Sequence, residues 1–363
     1  MRRSLRQLLR LFVRWTFRCE PGEAKRRLLE NISESARTVV MLVILKPAAD
    51  YLPLRWALGL ANWLSVVADV TIMHDGQLAR ANMKAAFKLS DENAVQAARQ
   101  WLANQFCDYV VLRRLARGRE DPANWRIVQK NVQGLEQLHE SGKPFILATG
   151  QFSRRAHVPF FTRMIAPARI VAAVQPLPKG WNPRAIRVRT QVAQARQGFK
   201  GAHAGKLEIM VIGQQHTLDL DEYLRHPYNI LYVTVDAHWP GKRWVYHRPF
   251  AGYPSFSFTT GPATLARLTQ CPILPCLPFV DSSGAVVLEW GDVIPPPLPS
   301  DVDADIRITN ELIDRIERAI GSRPTQYVNA AGRWRCWNGD AGRWEELDPD
   351  SKSTPSVGYE DHE

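Results

Sequence analysis

The sequence lacks an apolar run long enough to cross a bilayer. Its two most apolar stretches are residues 39–45 and 56–67, and both are shorter than the roughly 20 residues that a spanning helix needs. Lys46, Pro47 and Asp50 end the first stretch. The pattern therefore predicts monotopic or re-entrant helices rather than a clean span.

The sequence also predicts no cleavable signal peptide, because Arg6, Arg10 and Arg14 interrupt the apolar residues near its start. Cysteine is scarce: the five cysteines are odd in number and irregularly spaced, which argues against a disulfide framework. We expect free thiols in a reducing compartment. The cysteines have no metal-type partners nearby, so no metal site is predicted.

Signatures of nucleic-acid binding are absent too, although the charge is strongly positive. The chain carries 47 Lys and Arg against 36 Asp and Glu, a net charge of +11. Such a balance favours anionic partners, which include phospholipid surfaces, acidic carrier proteins and nucleic acid. Because no zinc finger, RNA-binding or helix-turn-helix pattern accompanies the charge, we do not expect nucleic acid as a partner.

Charge and hydropathy divide the chain into four parts. Residues 1–35 form a basic segment in which arginines recur every four positions, which predicts an amphipathic helix for an anionic membrane surface. The alternative is a helix packed on the domain with a solvated arginine face. Residues 36–70 form the apolar, membrane-associating helical region, residues 71–340 an α/β domain, and residues 341–363 an acidic tail predicted to be disordered.

The most informative stretch runs from Gly142 to His157. A turn signal at residues 142–144 precedes a short apolar run at 145–148, which predicts a buried strand. Gly150 follows, and no helix breaker occurs again until Pro159. A strand, a glycine and a helix start is where α/β enzymes place chemistry, and the helix N-terminus is expected to offer free N–H groups to an anion.

This stretch and several later ones resemble the bacterial lipid A biosynthesis acyltransferase family. Gly150 and Phe152 match the glycine and phenylalanine of that family's active-site turn. Further matching segments occur in the family's order, at residues 80–87, 248–252, 257–267 and 324–327, and the third of these matches a helix of the family. After the first, residues 91–116 are predicted to form a helix capped at Ser90, whose apolar residues are expected to be plain core packing. The resemblance covers about residues 36–337. It implies a mixed, mostly parallel central sheet flanked by helices, similar to glycerol-3-phosphate acyltransferases, behind an N-terminal membrane-associating helical region.

The two titrating groups of the family's His-x4-Glu dyad are both missing here. Gln151 stands at the histidine position and Ala156 at the glutamate position. The resemblance implies acyl transfer from an acyl carrier protein thioester to the hydroxyl of a glycolipid or other amphiphilic acceptor, with no cofactor. That reaction needs a base, and Gln cannot act as one near neutral pH. The standard dyad therefore cannot operate.

Two histidines are candidates for a relocated base. His157 lies one residue after Ala156, and His238 lies two residues after Asp236, at the end of a β-branched strand. Asp236 could orient His238 or another group. The alternatives are a helix-surface residue for His157 and a loop residue for His238. Gln151 could still donate a hydrogen bond to a carbonyl, in which case the site binds without reacting.

Five further residues are candidates for substrate binding. Arg154 and Arg189 could bind phosphate, and Arg189 best fits an arginine that the resemblance places on the helix after the second strand. Phe152, Phe250 and Thr260 belong to the matching segments.

Two hypotheses therefore stand together. One is an acyltransferase with a divergent site, on the cytoplasmic face of the inner membrane, held peripherally or by a single N-terminal anchor. The other is a catalytically inactive homologue that binds lipid or partner proteins in envelope assembly.

Overall fold

The computed structural model describes residue 35 and residues 37–67, 74–162, 169–174, 207–211, 216–236, 245–331, 335–338 and 343–346. The predictions for residues 1–34, for Arg189, for His238 and for most of the acidic tail lie outside the described residues.

A seven-stranded sheet forms the centre of the described protein, in the order β1-β9-β8-β2-β5-β3-β4. Its strands are β1 (Ile127–Lys130), β2 (Phe145–Thr149), β3 (Arg169–Val174), β4 (Leu207–Val211), β5 (Asn229–Thr234), β8 (Ile273–Val280) and β9 (Val286–Trp290). Only the β8–β9 pair is antiparallel, so the sheet is mixed and mostly parallel, as predicted. A two-stranded hairpin, β6 (Val245–Phe250) with β7 (Tyr253–Thr259), stands beside it.

Helices cover both faces of the sheet. They are α1 (Lys46–Tyr51), α2 (Leu54–Val67), α3 (His74–Phe87), α4 (Asp91–Ala116), α5 (Gln133–Ser141), α6 (Val158–Thr162), α7 (His216–Tyr223), α8 (Gly261–Thr269) and α9 (Ala304–Ser322). A π-helical turn, Val40–Leu45, precedes α1.

Successive side chains of β2 point to opposite faces of the sheet, where they belong to two separate core clusters. All five of its residues are buried, as expected for a strand covered on both faces. Ile146 and Ala148 pack into a large cluster with α2, α4, α8 and α9. Phe145 and Leu147 face the opposite way, into a smaller cluster that includes Phe160 of α6 and Trp290 of β9. The carboxyl end of β2 therefore emerges between two packed helical layers.

Helix α4 crosses the larger cluster and is specified by its ends as well as by its apolar face. The Ser90 hydroxyl accepts a hydrogen bond from the Asn93 N–H, and Asp91 and Glu92 occupy the first turn. Arginines occupy the last turn, where they complement the negative end of the helix dipole. The predicted capping at Ser90 is confirmed.

Three local expectations need correction. The segment after Gly150 does not enter an α-helix directly, because a 3-10 turn at Arg154–His157 comes first. The segment at residues 257–267 begins as strand β7 and becomes helical only at Gly261. Part of the acidic tail is a strand: β11 (Arg343–Glu346) pairs with β10 (Arg335–Asn338), and Trp344 lies opposite Trp337.

The N-terminal helices leave many large apolar side chains exposed. Nine of the fourteen such side chains in the described protein fall within residues 39–67. No helix among the described residues combines the length and the hydropathy needed to cross a bilayer. The remaining surface of these helices packs on α4, where Arg113 pairs with Asp50 at 2.8 Å.

Candidate functional site

The chain turns sharply where it leaves β2. The Phe152 N–H donates to the Gly150 carbonyl at 2.9 Å, which closes a three-residue turn centred on Gln151. The ring of Phe152 then folds back over Gly150, so that a Cβ at position 150 would lie 2.9 Å from that ring and 3.1 Å from Ile316. Glycine is therefore required for close packing here.

Asp236 fixes the backbone of Gln151 from the neighbouring strand. Strands β2 and β5 are parallel and in register, so both chain ends emerge at the same edge of the sheet. Both carboxylate oxygens of Asp236 accept from the Gln151 N–H, at 3.0 and 3.1 Å. Burial raises the pKa of Asp236 to about 6, while the hydrogen bonds from Gln151 and from the Tyr327 hydroxyl partly oppose that rise.

The segment at residues 324–330, which we call the signature segment, closes the other side of the turn. The Val328 N–H donates to the Gln151 carbonyl at 2.7 Å, and the Tyr327 hydroxyl donates to Asp236. The Tyr327 ring lies 5.8 Å from that of Phe152. Both polar backbone groups of Gln151 are thus bonded, while its side chain stays half-exposed.

Helices α3 and α4 and strand β8 hold the signature segment in place. Asn82, Trp101 and Asn104 donate side-chain hydrogen bonds of 2.7 to 2.9 Å to its carbonyl oxygens. The Gln326 amide pairs with the backbone of Val280 at the end of β8. The signature segment contains one of the stretches that resemble the family, and its hydrogen bonds place it directly against the turn at Gln151.

A second carboxylate, which sequence reasoning missed, holds the following residues. Asp108 of α4 accepts from the Ser153 hydroxyl at 2.9 Å and from the Arg154 N–H at 2.7 Å. Arg155 Nε lies 3.3 Å from Asp108 as an ion pair without hydrogen-bond alignment. Burial raises the pKa of Asp108, and the charge of Arg155 opposes that rise. The Arg154 N–H, expected to be free for an anion, is therefore occupied.

The structure places His157 in the smaller core cluster rather than on a helix surface. The Tyr232 hydroxyl hydrogen-bonds to His157 Nδ1, and a hydrogen bond between the ring and the backbone of Phe152 adds a second polar contact. The ring also lies edge-on to Tyr232 and to Phe160. Burial lowers the pKa of His157 to about 4, so the ring is neutral near pH 7. Our surface alternative for His157 was wrong, and its predicted catalytic role stays a prediction.

Ala156, at the expected glutamate position, is fully buried in that same smaller cluster. Phe152, by contrast, belongs to the larger cluster on the opposite face. A carboxylate at position 156 would enter an apolar environment that costs an unpaired charge several kcal/mol. The local packing is thus adapted to a small apolar residue.

The remaining substrate-binding candidates on described residues lie in packed surroundings. Phe250 is buried against Phe256 and Phe258, with ring centroids 5.0 and 5.1 Å away. Thr260 precedes α8, and its hydroxyl lies 3.2 Å from that of Thr264.

The hydroxyl of Thr264 continues this network to the carboxylate of Asp305 on α9. Arg267 completes it with two bonds to the same carboxylate, at 2.9 and 3.0 Å. The segment at residues 257–267 therefore joins α8 to α9.

The structure brings together Gln151, Phe152, Arg154 and Asp236 at the carboxyl ends of β2 and β5, with Tyr327 and Asp108 as additional members. Phe250 and Thr260 make their described contacts elsewhere, and Arg189 and His238 lie outside the described residues. Chemically, the group offers one half-exposed carboxamide, two buried carboxylates of raised pKa and an arginine.

Comparison with known proteins supports the resemblance. Residues 219–336 match the family model of the bacterial lipid A biosynthesis acyltransferases. That match includes Asp236, the hairpin, α8 and the signature segment, and it confirms that this part of the chain is lipid A acyltransferase-like. It begins after the turn at Gly150, so the equivalence of Gln151 and Ala156 with the family dyad stays a prediction.

The structure was also compared with solved structures. It is similar to the 1-acyl-sn-glycerophosphate (LPA) acyltransferase PlsC from Thermotoga maritima, with 13% sequence identity and a TM-score of 0.33. The similarity covers 73% of this chain and 95% of that one. No curated protein sequence matches the chain.

Proposed function

We propose that this protein is an acyltransferase with a divergent site, which moves an acyl chain from an acyl carrier protein thioester to an amphiphilic acceptor such as a glycolipid. The family match over residues 219–336 supports the reaction class. The observation that carries the site is the convergence of Gln151 and the buried Asp236 at the ends of two adjacent parallel strands. This is where parallel α/β sheets hold reacting groups.

The proposed reaction has four parts. The acceptor hydroxyl attacks the thioester carbonyl carbon, a base takes the hydroxyl proton, the C–S bond breaks, and the carrier thiol leaves with a proton. The Gln151 carboxamide donates a hydrogen bond to the carbonyl oxygen as negative charge develops there. The carboxylate of Asp236 is buried, and it positions Gln151 by accepting a hydrogen bond from the Gln151 backbone N–H.

His238 is the proposed base, because it follows Asp236 by two residues in the sequence. His157 is a weaker candidate, since its ring is buried and already bonded to the Tyr232 hydroxyl and to the backbone of Phe152. General base catalysis typically contributes about 10²–10⁴-fold in rate, so removal of the base should lower transfer by that order.

We propose further that the helices at residues 39–67 dock on the cytoplasmic face of the inner membrane. The exposed apolar side chains there are Val39, Val43, Ile44, Tyr51, Leu52, Trp56, Trp63, Val66 and Val67. Tryptophan and tyrosine favour the membrane interface, and Arg55 and Arg119 lie near the rings of Trp56 and Tyr51. Replacing both Trp56 and Trp63 with serine should lower vesicle binding while leaving the unfolding free energy nearly unchanged.

The decisive experiment measures transfer by the purified protein, offered radiolabelled acyl carrier protein thioesters and a total lipid extract. We expect transfer by the wild type, a loss of about 10²-fold or more in His238→Ala, and a smaller loss in Gln151→Ala. The matched control is His226→Ala, an exposed histidine after α7. Transfer that survives in His238→Ala but disappears in His157→Ala would reassign the base.

One observation favours the alternative, a homologue that binds lipid or partners without reacting. The backbone groups and carboxylates around Gln151 bond to one another, which is the pattern of a stabilised scaffold. No transfer by the wild type, with transfer gained in Gln151→His/Ala156→Glu, would establish that alternative. Binding of the acyl carrier protein without turnover would point to the same conclusion.

A further inference from the structure

A cleft separate from the Gln151 turn lies between α9 and strands β8 and β9. Its volume is about 370 Å³. Three arginines of α9 and its C-terminal end line it, Arg315, Arg318 and Arg323, together with a single acidic residue, Glu289. The lining therefore carries a net charge of +2. We propose that this cleft binds a phosphate group.

Arg315 is the innermost of the three cations. Its Nη1 would lie 2.3 Å from a Cβ built at Gly291, so the guanidinium packs directly on the glycine backbone. Its buried Nε–H finds no hydrogen-bond acceptor among the described residues. A buried donor without a partner lowers the stability of the folded state. A phosphate group is an acceptor with which a guanidinium commonly forms bidentate hydrogen bonds.

The existing partners of these arginines are exposed and therefore replaceable. Arg315 pairs with Glu311 at 3.1 Å and with Asp292 at 3.7 Å, and Asp292 is fully exposed. Arg318 is exposed and forms no ion pair with another described residue. Surface ion pairs are weak because water screens them. A ligand with two negative charges can compete for such cations.

Arg323 pairs with Glu289, the one carboxylate in the lining of the cleft. Its Nη2 lies 3.6 Å from Glu289, and its guanidinium stacks 3.7 Å above the Phe279 ring. Stacking holds the planar group in a fixed orientation while its edge remains available for hydrogen bonds. Arg323 thus neutralises Glu289 and leaves Arg315 and Arg318 for the ligand.

The cleft is next to the Gln151 turn but not part of it. A narrow crevice with Arg315 and Cys276 in its lining continues under α9 to Thr149 and Val235. These two residues directly precede Gly150 and Asp236. The phosphate site is therefore a second anchoring point beside the turn, and its binding can be measured without any transfer activity.

The test measures binding of inorganic phosphate and of glycerol 3-phosphate to the full chain by calorimetry. We expect binding to weaken roughly 10- to 100-fold in Arg318→Ala, as for loss of a charged hydrogen bond. Gly291→Ala should weaken binding similarly, because its methyl group displaces Arg315 without removing a charge. The matched control is Arg307→Ala, which lies on the same helix but pairs with Asp301 outside the cleft.

A lipid arm separates the two sources of a phosphate group. Phosphatidylcholine vesicles with and without phosphatidic acid give the headgroup-dependent part of vesicle binding. If only that part is lost in Arg318→Ala and Gly291→Ala, the ligand is a lipid headgroup. If the soluble probes bind and depend on both residues, a soluble phosphate monoester also fits. The proposal is overturned if neither the soluble probes nor the phosphatidic acid headgroup binds, or if Arg307→Ala weakens binding as much as Arg318→Ala.

Discussion

Two buried carboxylates flank the Gln151 turn, and different kinds of group interact with their negative charges. Asp108 receives a hydroxyl, a backbone N–H and the nearby charge of Arg155. Asp236 receives neutral donors, among them the Gln151 N–H and the Tyr327 hydroxyl. Burial raises the pKa of both carboxyls. Because the charge of Arg155 lies beside Asp108, whereas the donors described at Asp236 are neutral, we expect the two sides of the turn to respond differently to mutation and to pH.

The largest expected effect follows from removing Asp108. Asp108→Ala leaves the Arg155 charge, the Ser153 hydroxyl and the Arg154 N–H without their buried acceptor. Breaking one side of such a buried pair typically costs about 3–5 kcal/mol. We expect urea unfolding to show a loss of that size in the free energy of unfolding.

Asp108→Asn is the matched control, because its amide oxygen still accepts a hydrogen bond from Ser153 or Arg154. It should cost clearly less than the alanine variant. If Asp108→Ala lowers the free energy of unfolding by less than about 1 kcal/mol, Arg155 moves out to water in the variant and the Asp108 carboxylate contributes little to stability.

The second prediction concerns pH. In the folded protein the pKa of Asp236 is raised from 3.8 to about 6, so stability from this group is present at low pH and lost as pH rises through that window. For His157 the pKa is lowered from 6.5 to about 4, so stability is present at high pH and lost as pH falls. Each group changes the free energy of unfolding by about 3 kcal/mol over its pH window, and the two changes have opposite dependence on pH.

When either group is removed, the other should therefore determine how the free energy of unfolding changes over this pH range. Relative to the wild type, Asp236→Asn should lose stability as pH falls from 6.5 to 4, and His157→Phe should lose stability as pH rises from 4 to 6. Urea unfolding at several pH values measures both slopes. Parallel pH profiles for the wild type and both variants would contradict the balance proposed for this turn.

The same comparison shows what the sequence could predict. Asp236 was found because a β-branched strand ends there, and strand ends converge in a parallel sheet. Asp108 was missed because it lies in the middle of a long helix, between Cys107 and Tyr109, where we expected plain core packing. A charged residue inside a run of buried apolar positions is the signal that could have identified it.

Most of the fold was accessible from local patterns, for equally local reasons. The strands at 145–149, 229–234 and 273–280 follow from apolar runs between turn signals, and α4 follows from its cap at Ser90. The position of the signature segment was not accessible, because the bond from Val328 to Gln151 joins residues far apart in sequence. The partner of a buried histidine such as His157 is equally a matter of tertiary packing.

The smallest expected effects come from removing one neutral donor from each carboxylate. Ser153→Ala removes a hydroxyl from Asp108, which keeps the Arg154 N–H and the Arg155 charge. Tyr327→Phe removes a hydroxyl from Asp236, which keeps backbone donors such as the Gln151 N–H. We expect losses of about 1 kcal/mol for Ser153→Ala and about 2 kcal/mol for Tyr327→Phe at pH 7.5.

The two donor variants also differ in their dependence on pH. Loss of the Tyr327 hydroxyl should raise the pKa of Asp236 further, so the cost of Tyr327→Phe should shrink below pH 5, where that carboxyl is protonated in the folded state. Urea unfolding at pH 5 and pH 7.5 tests this directly. Equal costs for both variants at both pH values would mean that a charge balances Asp236 as Arg155 balances Asp108, and that the two sides of the turn are electrostatically equivalent.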